Sequence, residues 1–302
     1  MVAGPPVVAL VGPTASGKSA LALDVARAHG GEIVSCDSLQ VYRGLDIGSA
    51  KATAAERREV PHHLLDVVDP DQDFSAADYA RLARAAITDI LARGRLPIVA
   101  GGTGLYLRAL RRGLFAGPSR DPDFRSRLER VGQRRGDAVL HRLLARVDPD
   151  SAARTSPRDR LRVVRALEVY RATGRPLSAH HREETPAEED WRWLVIGVDR
   201  PREALRAAVE ARTQEMFAAG LVEEMRALLA RYPGDLRPLR AIGYRQAGAV
   251  VRGEQTALQA QRDIVKETMR YAKRQMTWFR HQEDARWLDA AEARRAIGEW
   301  LS

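Results

Sequence analysis

At 302 residues, 45% of them hydrophobic, the chain can bury a sizeable core, and no low-complexity tract argues for disorder. A formal charge of +9 points toward a polyanionic partner. Only four basic residues are lysines (Lys18, Lys51, Lys266 and Lys273), so codon bias is the competing explanation of the arginine excess. Cys36 is the only cysteine, which excludes an intrachain disulfide and suits a reducing cytoplasm; it reads as a small buried hydrophobe.

The N-terminal "MVAGPPVVALVG" has neither a basic n-region nor a long apolar run, so no signal peptide, membrane span or membrane partner is expected, and a cytoplasmic location is. "PVVALVG" (6–12) is β-branched and apolar and ends in glycine, the pattern of a buried strand. "SALALDVARAHG" follows with helical spacing and stops at Gly30–Gly31. "EIVSC" predicts a second strand. "FSAADYARLARAAITDILARG" predicts an amphipathic helix capped by Ser75 and stopped at Gly94, and "LPIVAGG" a third buried strand. This alternation predicts an α/β fold with a parallel sheet. From Asp121 to about His181 the pattern is helical and arginine-rich. "WRWLVIGVDRP" (191–201) returns to a strand, and from Arg202 the chain is expected to be helical nearly to its end. The domains expected are a core at 1–118, a helical insertion at 119–185, and core completion with a helical C-terminal region at 186–302.

"GPTASGKS", Gly12 through Pro13, Thr14, Ala15, Ser16, Gly17 and Lys18 to Ser19, matches G-x-x-x-x-G-K-[ST] with a strand before it and a helix after. The glycines let backbone N–H groups turn toward phosphate oxygens. Lys18 adds charge, Ser19 offers a hydroxyl to Mg²⁺, and the helix contributes its positive end. Kinases, NTPases and transferases that release pyrophosphate can all use such a loop. In a parallel sheet, ligands lie beyond the carboxyl ends of the strands. The phosphate loop, Asp37–Gln40 and Thr103 of "AGGTGLY" should therefore converge on one pocket. Asp37 could bind metal or take a proton from a nucleophile, and the Gln40 amide could read an adenine edge. Equally, Asp37 could simply cap the following turn. His62–His63 has no accompanying Cys or His pair and carries no zinc expectation.

Nearly end to end the chain resembles the bacterial tRNA dimethylallyltransferases, also called tRNA isopentenyltransferases. The resemblance runs through "GPTASGKS", "SCDSLQVYRGLDIGSAK" (35–51), "VPHHLLDVVDP" (60–70), "FSAADYARLA" (74–83) and "GGTGLYLRAL" (101–110). It continues in "DRLRVVRALEVY" (159–170), "GLVEEMRALL" (220–229), "AIGYRQ" (241–246) and "MRYAKRQMTWFR" (269–280). The resemblance implies a P-loop α/β core with a helical insertion. It also implies transfer of a dimethylallyl group from dimethylallyl diphosphate to N6 of adenosine 37 in tRNAs that read codons starting with U. Residue by residue, it implies Asp37 as general base, Ser38, Leu39 and Gln40 around the flipped-out adenosine, and Thr103 at the bridging oxygen of the diphosphate. Lys18, Ser19 and the loop amides match the diphosphate and Mg²⁺ site, and Arg125, Arg162 and Arg165 match tRNA contacts. Of two arginines the family places four apart, Arg212 matches the second, while Ala208 stands at the first, with Arg206 two residues away.

"ETMRYAKRQMTWFRHQ" interleaves Arg270, Lys273, Arg274 and Arg280 with Tyr271, Trp278 and Phe279, a pattern suited to single-stranded nucleic acid. The aromatics are expected to pack inward and the basic face to touch the anticodon stem-loop. A monomer is expected. The rival functions are a small-molecule P-loop kinase, a non-catalytic RNA-binding module, and an isopentenyltransferase acting on free adenine nucleotides.

Overall fold

The computed structural model describes residues 4–113, 117–118, 121–182 and 190–302. In chain order the first elements are β1 (Pro6–Val11), α1 (Lys18–His29), β2 (Gly31–Ser35), α2 (Ala54–Glu59), β3 (His62–His63), α3 (Ala76–Ala92), β4 (Leu96–Gly101) and α4 (Gly104–Arg112). Five helices follow: α5 (Pro122–Arg135), α6 (Asp137–Val147), α7 (Pro149–Arg154), α8 (Arg160–Thr173) and α9 (Leu177–Arg182). Then come β5 (Arg192–Val198), α10 (Arg202–Ala218), α11 (Leu221–Leu229), α12 (Tyr244–Val251), α13 (Ala257–Gln282), β6 (Arg286–Leu288) and α14 (Ala290–Leu301). The chain forms two compact units, residues 1–111 with 188–302, and residues 112–187. The boundary expected at 185/186 lies outside the described residues.

Among the described residues the sheet has six strands in the order β3-β2-β4-β1-β5-β6, every pairing parallel. Its strands β1, β4 and β5 are near-continuous apolar runs because both faces are covered. Val7, Ala9 and Val11 of β1 join Val34, Val99 and Val195 in a core with Tyr79, Ile87 and Ile90 of α3. Val8 and Leu10 point the other way, against Leu21 and Val25 of α1 and Ile297 of α14. This alternation is the period of two that a pleated strand imposes.

The α3 prediction holds at its start: Ser75 accepts the Asp78 N–H, and the Asp78 carboxylate accepts the Ser75 N–H in return. Two short strands escape sequence reading. β3 is two residues long, and β6 interrupts the expected run of C-terminal helices with three. Neither is long enough to show a period. β6 is recruited by tertiary pairing with β5, where Gly197 gives Trp287 room: a Cβ there would fall 2.6 Å from the indole. Residues 112–187 have their own core of Leu128, Leu140, Leu144, Val163, Val164 and Leu167.

Candidate active site at the ends of three strands

β2, β4 and β1 are neighbours, with Ser35 beside Ala100 and Val11 beside Gly101. The chains leaving those three strands carry the phosphate loop, Asp37–Gln40 and Thr103, as the sequence predicts. Close backbone approach joins the β2 and β4 loops. The Cys36 N–H donates to Ala100 at 2.8 Å, the Thr103 N–H donates to Cys36 at 3.1 Å, and Thr103 Oγ1 accepts the Ser38 N–H at 3.1 Å. A Cβ on Gly101 would lie 2.1 Å from the Cys36 oxygen, so only glycine admits this crossing. The Thr103 hydroxyl, holding Ser38 through its lone pair, keeps its own proton to donate.

In the phosphate loop Gly12 and Gly17 take positive φ, and so does Ala15, a strain that a non-glycine residue bears at a cost. The Lys18 ammonium donates to the Pro13 carbonyl at 3.1 Å. Arg212 of α10 reaches the loop, donating to Thr14 Oγ1 at 3.2 Å and to the Ser49 carbonyl at 3.5 Å. Burial, then the nearby Arg212 charge, lower the Lys18 pKa to about 8 against an opposing pull from Asp37; burial likewise lowers that of Arg212. Two half-buried cations at one loop are an anion site in waiting. The first N–H groups of α1, unpaired within any helix, add to it. Ser16 Oγ is buried in the same loop with no protein partner among the described residues.

Asp37 caps the turn, one of the two roles the sequence left open, and keeps one carboxylate oxygen for the other. Its Oδ1 accepts the Leu39 N–H at 2.8 Å, capping the turn, and Oδ2 is left for other work. Its charge acts on Lys18, Arg212 and Tyr271, which places the carboxylate inside the pocket. Ser38, Leu39 and Gln40 are half-buried beside it.

The Gln40 amide already has partners within its own loop. Its Nε2 donates to Ser49 (3.2 Å) and Ala50 (3.1 Å), and its Oε1 accepts from the Ser35 hydroxyl at 2.8 Å. An amide so engaged shapes the loop, and one lone pair of Oε1 is left over. The loop is further fixed by buried Lys51, whose ammonium donates to Tyr42 O, Asp46 and Asp66 at 2.8, 2.6 and 2.7 Å. Asp66 in turn gives its N–H to Gln40 O.

The cations of α13 do not form one face. Arg270, Lys273 and Arg274 are all exposed. Arg270 and Lys273 line a groove of about 1040 Å³ between α10 and α13, together with Arg262, Lys266 and Arg280. Arg274 instead lies over the Tyr271 ring, 5.5 Å from its centroid. The aromatics expected to pack inward do so in part: Phe279 is buried, while Tyr271 and Trp278 are half-buried. Burial, then the Asp37 charge, push the Tyr271 phenol up to about 12. Tyr271 and Gln275 are pocket residues that charge-centred reading passes over. Their spacing of four places them on one helix face, the signal that could have found them. Arg206 is exposed and pairs with Glu210 at 2.9 Å.

In the insertion, Arg125 donates through Nε (2.5 Å) and NH2 (2.6 Å) to the buried carboxylate of Glu168, so its guanidinium is engaged in holding α5 to α8. Arg165 donates to Pro118 O at 3.0 Å. Arg162 is exposed and pairs with Asp159 at 3.3 Å. No helix among the described residues is long and apolar enough to cross a membrane.

The IPP transferase family model matches residues 40–282. A tRNA dimethylallyltransferase of Geobacter metallireducens is 51% identical over 284 residues, covering 94% of this chain and 92% of its own. Among solved structures, the tRNA isopentenylpyrophosphate transferase of Staphylococcus epidermidis is 34% identical, with TM-score 0.70 over 98% of this chain and 99% of its own. A eukaryotic dimethylallyltransferase acting on tRNA is 27% identical, with TM-score 0.76 over 95% of this chain and 74% of its own.

Proposed function

The chain belongs to the IPP transferase family, and from that premise we propose that it moves a dimethylallyl group from dimethylallyl diphosphate to N6 of adenosine 37 in tRNAs that read codons starting with U. The observation that carries this reading is the convergence of Lys18, Arg212, Asp37 and Thr103 at the ends of three adjacent strands.

An adenine N6 amine is a poor nucleophile because its lone pair is delocalised into the ring. As that lone pair forms the new C–N bond, the allylic C–O bond breaks and its electrons leave with the diphosphate. Positive charge grows on N6 and negative charge on the departing oxygens. Asp37 Oδ2 stabilises the first and accepts the N6 proton. Lys18, Arg212 and the loop amides face the second, and the Thr103 hydroxyl donates to the bridging oxygen. The base must leave its stack to enter, at a cost of a few kcal/mol; Ser38 and Leu39 border its place, with Tyr271 across the pocket.

The donor set suits Mg²⁺: a hydroxyl at Ser19 and the diphosphate are both hard oxygens. Among the described residues no three His, Cys, Asp or Glu side chains come together, so a cation here would draw most of its ligands from diphosphate and water. Bound there, it would neutralise charge on the leaving group. The protein acts as a monomer on the anticodon stem-loop, with backbone contacts from Arg162 in the insertion and Arg270, Lys273 and Arg274 on α13; Arg125 and Arg165 join only if their present partners release them.

The test is incubation with labelled dimethylallyl diphosphate and bulk unmodified tRNA, followed by nucleoside analysis. Label in N6-modified adenosine supports the reading. ATP turnover without RNA would support a kinase instead, and prenylation of free adenine nucleotides the third rival.

A further inference from the structure

α13 sends one uncharged polar side chain into the interior at the level of the two reacting loops. Gln275 is 6% exposed. Its Oε1 accepts the Thr14 N–H at 2.9 Å, and its Nε2 donates to the Gly102 carbonyl at 2.9 Å. Thr14 lies in the phosphate loop after β1, and Gly102 directly precedes Thr103 after β4. β1 and β4 are paired as far as Val11 and Gly101. Beyond that register no backbone hydrogen bond among the described residues joins the two loops. The Gln275 amide is the bridge between them.

Gly102 is built for this bridge. A Cβ there would fall 2.2 Å from Gln275 Nε2 and 3.5 Å from the Gly12 oxygen. The Thr14 N–H, turned toward Gln275, is also removed from the set of loop amides that can face a phosphate. One turn earlier on the same face, Tyr271 lies under the Arg274 guanidinium.

We propose that Gln275 is a positioning residue for the transfer reaction: its amide sets the separation between the diphosphate-binding loop and Thr103. The inference rests on the diphosphate reading of the loop given above. With the amide gone, a partly buried N–H and a buried C=O lose their partner. The loops relax to recover other bonds, and Lys18 and Thr103 no longer meet the same donor together. Small misplacements of this kind cost rate out of proportion to their size.

The test compares wild type with Gln275→Met, which keeps length and loses the amide, with Gly102→Ala, and with the double variant. Equilibrium binding of inorganic pyrophosphate, single-turnover transfer at saturating substrates, tRNA affinity and thermal midpoint are measured. Each single variant should weaken pyrophosphate binding and slow transfer by roughly tenfold, with tRNA affinity unchanged. The double variant should be no worse than the poorer single one, since Gly102→Ala already displaces the amide. Should Gln275→Met fail to fold, Gly102→Ala reads the same displacement without altering α13. Wild-type pyrophosphate affinity and transfer rate in Gln275→Met, with only the thermal midpoint lowered, would make Gln275 a packing residue. Multiplicative losses in the double variant would equally overturn the bridge. If wild type binds pyrophosphate but transfers nothing to tRNA, the reaction assignment fails, and the pyrophosphate measurements still decide the role of Gln275.

Discussion

Lys18 should make donor binding depend on pH in a range where few lysines titrate. Its pKa is about 8 in the unliganded site because burial and Arg212 oppose its charge. Roughly nine-tenths of the molecules then carry a charged Lys18 at pH 7 and roughly one-tenth at pH 9. If only the charged form binds the diphosphate, Kd for dimethylallyl diphosphate rises about tenfold between those values. The ligand contributes little, since the second phosphate pKa is about 6. Titration calorimetry without tRNA measures binding with no turnover. Lys18→Met supplies the control: weak binding that is flat across the range. Stability has the opposite sign. The folded pKa lies below the ordinary 10.5, so the unfolded chain holds more protons between pH 8 and 10.5, and the unliganded protein gains stability as pH rises through that window. A wild-type Kd that is level from pH 7 to 9, or the same slope in Lys18→Met, would refute the placement of this charge against the diphosphate.

Asp37→Ala should keep tRNA affinity and slow single-turnover transfer by roughly two decades or more; an unchanged rate would leave Asp37 only its turn-capping bond to Leu39. Arg212→Ala should raise the Kd for pyrophosphate and also raise the Lys18 pKa, moving the midpoint of the pH dependence upward, because Arg212 lowers it now; a midpoint left at about 8 would show that the two cations do not meet. Ser75→Ala should cost about 1 kcal/mol in denaturant unfolding through loss of the α3 cap, with catalysis untouched. For tRNA binding, Arg274→Ala and the pair Arg270→Ala with Lys273→Ala should be separated in a salt series, the slope flattening by about one for every phosphate the variant no longer neutralises. An unchanged slope in the pair would leave the α10–α13 groove outside the tRNA path.

The phosphate loop was legible because its chemistry is local: glycines, a lysine and a hydroxyl within eight residues, with a strand before and a helix after. The convergence of Asp37 and Thr103 on it was legible because parallel strands put their carboxyl ends on one edge. What escaped depended on distant partners. The sequence around Gln40 offers an amide, and nothing in it says that Ser35, Ser49 and Ala50 will engage that amide. Arg125 likewise reads as one more cation until Glu168, 43 residues further along the chain, engages two of its nitrogens. β6 became a strand only because β5 offered it an edge.

α13 shows why charge alone misplaces function. Seen as a string, Arg270, Lys273 and Arg274 form one basic patch. On the helix, steps of about 100° per residue turn Lys273 toward α10 and Arg274 toward Tyr271, with Arg270 also in the groove. Continuing the same rotation, Gln275 and Tyr271 fall on the pocket face, where a full charge would oppose Lys18 and Arg212 or compete with Asp37. A neutral amide escapes that conflict. It can pair with a backbone donor on one loop and a backbone acceptor on another without adding charge beside Lys18 and Arg212, which is the physical reason an uncharged residue stands on the buried face of a helix whose exposed positions include Arg270, Lys273 and Arg274.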